Sequence, residues 1–179
     1  MKTTTLKSAS ANYEVTILKS ANETAGRYSF LKVNLYAGAG NELHYHTTFS
    51  EHFEVVSGML SVQIGKEIKH LYPGQSLTVE KRLAHRFFNE TNEATVFHCT
   101  ITPARNFEKA LRIGYGLAND GLLNSKGIPK NFLHGVILFH LSESYLHGLP
   151  LWFQSFVFGS LTRVAIWLKV DESLEKYSV

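Results

Sequence analysis

Short runs in which apolar and polar residues alternate fill the first hundred positions, and they give way to helical spacing near Pro103. The runs are Tyr13 to Leu18, Arg27 to Ala37, Leu43 to His46, His52 to Val56, Met59 to Ile64, Glu67 to Leu71, Ser76 to Val79, His85 to Phe88 and Ala94 to Ile101. Gly, Asn, Pro or Ser stand in the breaks, including Pro73 with Gly74 and the cluster from Asn89 to Asn92. Many short strands at such intervals predict an antiparallel sandwich or barrel. Residues 1 to 11 are small and polar, which predicts a loose arm or an edge segment. Because side chains on a strand alternate between faces, Glu51, Phe53 and Val55 share one face, and His85, Phe87 and Asn89 share another. In the last run either Phe97 with Cys99 or His98 with Thr100 turns inward. If the interior takes His85, a phenylalanine-lined pocket follows, suited to an apolar or aromatic small molecule with one chelating end.

After Pro103 the pattern is helical. Arg105 to Ala118 sets Phe107, Ala110 or Leu111, Gly114 and Leu117 on one stripe, with Glu108, Lys109 and Arg112 elsewhere. Second and third helices are expected over Lys130 to His147 and Leu151 to Val170, with Asp171 as N-cap of a last short turn ending near Tyr177. From Asn131 to Thr162 the only formal charge is Glu143. Helices this apolar are buried against something, and the expected surface is the barrel or a second copy of the chain. A membrane span needs about 20 predominantly apolar residues, whereas Gly148, Pro150, Gln154 and Gly159 interrupt this stretch. A flat membrane-surface contact with Arg163 and Lys169 toward the head groups is the less favoured alternative.

Length and composition narrow the picture. At 179 residues the chain suits one domain, or one with an appendage. Charged residues are 18%, below the typical share of about 25%, which points to burial in an oligomer. A net charge of +3, with no basic run interleaved with aromatics, argues against a nucleic-acid partner. Cys99 is the one cysteine, so nothing calls for an oxidising compartment, and it reads as a core residue. The opening residues lack the apolar run of a signal peptide, which makes the cytoplasm the expected location.

The candidate chemistry lies between Gly38 and Gly58. His44 and His46 project to the same face of a strand, and Glu51 follows after a Thr- and Ser-rich gap long enough to bring a carboxylate back toward them. The intervals from Gly38 through His44, His46 and Glu51 to Gly58 resemble the first motif of the cupin superfamily. The stretch GQSLTVEKRLAHRFFN resembles its second, with Gly74, His85 and Asn89 in place. Glu80 and Arg82 stand where that family usually has Pro and Gly, so the turn before His85 lacks the residues that tighten it. The resemblance covers roughly residues 30 to 103. It implies a mainly β fold, the double-stranded β-helix or antiparallel jelly-roll barrel, over residues 1–103. The helical C-terminal extension, residues 104–179, lies outside the resemblance, and it is expected to pack on the barrel or on a partner subunit.

The resemblance also implies one divalent metal held by His44, His46, Glu51 and His85. Mixed N/O donors suit Fe, Mn, Ni, Zn or Cu without choosing among them, and one or two positions remain for water or substrate. Some cupins are dioxygenases, and cupin barrels commonly pair. The expected function is therefore a dioxygenase-type oxidoreductase acting as a homodimer on a small chelating organic molecule. The alternative is a non-catalytic binding or sensing module whose tail mediates dimer or membrane-surface interaction. No nucleophile with its own base is visible. His140, Glu143 and His147 would share a face if the second helix ran through them, but the break at Gly148 argues for polar residues facing water or a partner. Tyr145 and His134 read as structural.

Overall fold

A computed structural model describes residues 3–178. The chain divides into two compact units, one of Asn12–Arg105 with the first strand, the other of Asn106 onward with the short Ser8–Ala11 segment.

The first unit holds ten strands: β1 (Thr4–Leu6), β2 (Tyr13–Lys19), β3 (Ser29–Leu35), β4 (His44–His46), β5 (Ser50–Ser57), β6 (Leu60–Ile64), β7 (Glu67–Leu71), β8 (Ser76–Val79), β9 (His85–Phe88) and β10 (Thr95–Thr102). One sheet runs β1-β2-β3-β10-β5-β8, and the other runs β4-β9-β6-β7 within this unit. All the pairings are antiparallel. This is the jelly-roll arrangement, and the polar N-terminal stretch supplies its edge strand β1. The expectation for residues 1 and 2 lies outside the described residues.

Alternation sets the core. On β10, Thr95, Phe97, Cys99 and Ile101 turn inward, which settles the last strand in favour of Phe97 and Cys99. Cys99 lies opposite Leu31 on one side and Phe53 on the other. It is a free, buried thiol whose pKa burial pushes well up, so it packs as a small apolar residue. Phe53, Phe87 and Phe97 meet edge to face, with centroids 5.3–6.0 Å apart, the geometry that aromatic quadrupoles favour. The phenylalanines expected to line a pocket are therefore packed on one another.

Gly58 closes the turn between β5 and β6 with φ +79°, where a Cβ would lie 2.8 Å from Thr95 Oγ1 and 3.0 Å from the Ala94 carbonyl oxygen. Both the left-handed backbone and the crowding oppose any side chain. Gly58→Ala is expected to lower stability by about 2–4 kcal/mol, read from the midpoint of urea unfolding; a change under about 1 kcal/mol would show that the turn relaxes.

The second unit holds α1 (Phe107–Asn119), α2 (Phe132–Ser142), a short strand β11 (Ser144–Leu146), α3 (Leu151–Trp167) and a 3-10 turn over Glu172–Tyr177. Its core is Ile113, Leu117, Ile137, Ala165 and Leu174. The buried stripe of α1 is thus Ala110, Ile113 and Leu117, one step round from the expected line through Phe107 and Gly114. Asn131 caps α2 by accepting from the Leu133 amide at 2.9 Å. Asp171 precedes the last turn, but its side chain makes no capping bond.

The expected single helix from Lys130 to His147 is instead α2 followed by β11, and two features explain the difference. Glu143 adopts the left-handed conformation at φ 48°, which ends α2. Gln154, fully buried on α3, then holds the next residues extended. Its Oε1 accepts from the Leu146 amide at 2.8 Å, and its Nε2 donates to the carbonyls of Leu146 at 3.0 Å and Leu149 at 2.9 Å. His147 falls beyond β11, so the set His140, Glu143 and His147 never shares a helix face. Tyr145 packs edge-on against Phe139, with centroids 5.6 Å apart.

Candidate metal centre

Strand pairing brings remote residues together. His44 on β4 stands directly opposite His85 on β9, while Glu51, near the start of β5, comes from the other sheet and faces inward between Ile101 and Val79 in the ladder. His46 lies on the same side of β4 as His44. One ligand atom from each of His44, His46, Glu51 and His85 falls within 4.8 Å of the other three, and among the described residues this is the group with metal-holding geometry. His46, Glu51 and His85 are buried at 2%, 5% and 2% exposure. His44 is partly open and marks the side that solvent reaches.

Hydrogen bonds around the rings fix which nitrogens point inward. His44 Nδ1 donates to the Glu42 carbonyl at 2.7 Å, and His85 Nδ1 donates to the Leu83 carbonyl at 2.9 Å. A neutral imidazole has one N–H, so in the neutral form both rings aim a bare Nε2 lone pair at the centre. There His44 Nε2 meets His46 Nε2 at 3.1 Å, and His85 Nε2 meets Glu51 Oε2 at 2.7 Å. His46 Nε2 lies 3.8 Å from the same carboxylate oxygen. Such a cluster of acceptors requires a proton or a cation between its members.

The proton affinities follow. Burial would raise the Glu51 carboxyl, but the bond from His85 and the charge of the three imidazoles override it and hold the group at about 2. Burial also opposes a charge on His85, yet the bond to Glu51 and that carboxylate's charge leave its pKa raised. His44 is lowered, chiefly by burial, with Glu51 pulling the other way and His85 adding to the decrease. Without a metal, a proton on His85 Nε2 is favoured over one on a free imidazole, because it lies against the Glu51 carboxylate. The donor set fits a divalent ion, because one ligand atom from each of three imidazoles and an ionised carboxylate converge within 4.8 Å of one another.

Several supports were not legible as site residues. Phe49, 1% exposed, stacks on the His46 ring at 4.0 Å and shields it from water. Asn89 is no ligand. Its Nδ2 donates to the carbonyls of Leu35, Tyr36 and Glu93, its Oδ1 accepts from the Thr91 amide, and the end of β9 is pinned so that His85 keeps its register. Tyr13, whose ring meets Phe87 at 5.8 Å, feels the Glu51 charge: burial first, and that carboxylate second, raise its phenol pKa. An aromatic at the first position of β2 carries no pattern that would have marked it.

The turn before His85 keeps its shape without the expected glycine. Arg82 adopts φ 68°, the left-handed region glycine enters freely, and its amide donates to the His46 carbonyl at 2.6 Å. The loop is thus tied to the ligand strand at the expense of local strain. Arg82→Gly is expected to stabilise the barrel by about 0.5–1 kcal/mol, the relief of strain less the entropy that glycine adds to the unfolded chain. Thermal unfolding checks this, and destabilisation would mean that the arginine side chain makes a compensating contact.

The family model for the cupin domain matches residues 31–101. No curated protein matches the chain in sequence. Among solved structures, KdgF from Halomonas sp. is 16% identical with a TM-score of 0.50, the match covering 59% of this chain and 91% of that one. An RmlC-like cupin from Shewanella frigidimarina is 22% identical, also at 0.50, covering 58% and 86%. The cupin domain of an XRE family transcriptional regulator from Enterobacter cloacae is 26% identical at 0.47, covering 52% and 99%. The matched family region ends at Ile101, just before the second unit begins. The strands that carry the four candidate ligands lie within residues 31–101, the stretch that matches the cupin domain family, and a helical segment follows the barrel.

Proposed function

We propose that this protein binds one divalent transition metal through His44, His46, His85 and Glu51, and acts as a homodimeric, dioxygenase-type oxidoreductase on a small organic molecule with a chelating end. The observation that carries the reading is the tautomer lock: backbone carbonyls take the Nδ1 protons of His44 and His85, leaving Nε2 lone pairs converging on an ionised carboxylate. A bound divalent ion would supply a Lewis-acidic centre with one or two positions left for the chelating atoms of the substrate. The chain's own residues do the rest. Glu51 contributes charge, His85 surrenders the Nε2 proton to solvent when the ion enters, and Phe49 keeps water from the buried side of His46. His44, at the open side, borders the approach. Oxygen uptake with catechols, thiols and diketones, assayed under Fe, Mn and Ni, tests the catalytic part. Uptake that depends on both metal and substrate is expected. Binding of the same compounds with no turnover under any metal would favour a non-catalytic ligand-binding module.

The proton affinities give this proposal a pH signature. His85 is raised above the ordinary histidine value of about 6.5, so protons compete for its Nε2 from a higher pH than for a free imidazole. Metal affinity should therefore weaken by about tenfold per pH unit once that proton must be displaced. The metal-free barrel follows a different course. The raised His85 contributes stability that is full below its unfolded value and lost as pH rises through its folded one. The depressed Glu51 contributes stability present above its unfolded value and lost as pH falls toward about 2. The rise in melting temperature on adding Ni(II) or Zn(II) should accordingly grow between pH 6 and pH 8. A rise independent of pH over that interval would remove His85 from the ligand set.

A further inference from the structure

The outward face of α3 inverts the usual arrangement of a surface helix. Its buried positions include Gln154 and Thr162, whereas Trp152, Phe156 and Trp167 are 72%, 72% and 80% exposed. These three lie at helical spacing on one stripe with Gly159 and the exposed Arg163, flanked by Phe153 and Ile166 at 44% and 52%. Aromatic side chains present about 150–250 Å² each, so the apolar surface on this one helix is on the order of 600 Å². That approaches the roughly 800 Å² each partner gives to a specific interface, and it is the upper end of what a monomer leaves exposed.

The order of residues along the stripe carries the argument further, because it reads nearly the same from either end. Reflection about the point between Gly159 and Ser160 sets Trp152 against Trp167, Phe153 against Ile166, and Phe156 against Arg163. A twofold axis through that point, relating two antiparallel copies of α3, would lay Trp152 on the partner's Trp167 and place Arg163 over the partner's Phe156, a cation–π pair. The same register keeps the two guanidinium groups on opposite sides of the axis. At the axis a Cβ added to Gly159 would meet nothing within 4 Å inside the chain. Packing within the chain therefore does not explain a residue that weakens a helix relative to alanine, whereas close approach of a second helix does. No carboxylate lies on α3, so nothing acidic interrupts the stripe.

We infer that the exposed stripe of α3 is the surface through which two copies of this chain pair, antiparallel, across a twofold axis between Gly159 and Ser160. The inference rests on the homodimer reading above and locates its surface. Light scattering is run on the wild type and on Trp152→Ser/Trp167→Ser at one protein concentration, with circular dichroism to confirm that the variant is folded. A dimeric wild type and a monomeric, folded double variant are expected. In addition, Gly159→Cys should be joined into a covalent dimer by a short bismaleimide, whereas the wild type, whose only thiol is buried, and Lys126→Cys on an exposed loop should stay as single chains. A double variant that remains dimeric, with Gly159→Cys uncrosslinked, overturns the assigned face and leaves the homodimer standing. A monomeric wild type overturns both, including one that sediments with anionic vesicles and so turns the stripe toward lipid.

Discussion

Replacing His44 and His46 together with alanine is expected to abolish metal binding while leaving the barrel folded. Two of the three nitrogen donors disappear, and what remains is the pair His85 and Glu51, already joined at 2.7 Å. Loss of a partner that merely orients a ligand costs about 10–100-fold in metal affinity, so loss of two ligands should exceed 100-fold. The fold should survive because β4 is only three residues long and His44 is partly open. Calorimetric titration with Ni(II) or Zn(II), beside far-ultraviolet circular dichroism, checks both halves. An unchanged affinity in a folded variant would show that the ion sits elsewhere.

Phe97→Ala should have the largest effect on stability, about 3–5 kcal/mol. The ring is fully buried on β10, which pairs with both β3 and β5, and it meets Phe53 at 5.8 Å and Phe87 at 5.3 Å. Truncation leaves a cavity that two sheets would have to collapse together to fill. Against a typical total of 5–15 kcal/mol this is a large fraction. The exposed Ile68→Ala on β7, with half of its surface already in water, should change stability by less than about 0.5 kcal/mol. Because Phe87 lies two residues beyond His85, loosening its packing should also weaken metal affinity. Urea unfolding of both variants decides this, and a Phe97→Ala cost near that of Ile68→Ala would mean that the barrel core is not organised around the three rings.

The barrel was legible in the sequence because strand alternation is local: Phe53 stands between His52 and Glu54, and turn residues punctuate each run, whereas Val96 beside Phe97 left the inward face of the last strand open until the structure chose Phe97 and Cys99. His44 and His46 were legible for the same reason, since two residues on a strand share a face. The helical segment was less so. On α1 the glycines at 114 and 116 and the neighbouring apolar residues left the edge of the stripe open, so periodicity did not show that Ile113, and not Phe107 or Gly114, leads its buried side. The bonds by which Gln154 holds Leu146, eight residues earlier, are announced by no local pattern. At the centre itself, the residue types were readable but their support was not. The carbonyls of Glu42 and Leu83 that set the tautomers are backbone groups, and Arg82 takes a left-handed conformation that its identity argues against.

The most direct test is anomalous diffraction at the absorption edge of Ni(II) or Mn(II), from crystals of the metal-loaded wild type. One peak is predicted, enclosed by Nε2 of His44, His46 and His85 and by a carboxylate oxygen of Glu51. A loaded crystal with no peak among those four atoms, or with its only peak elsewhere on the chain, would contradict the account.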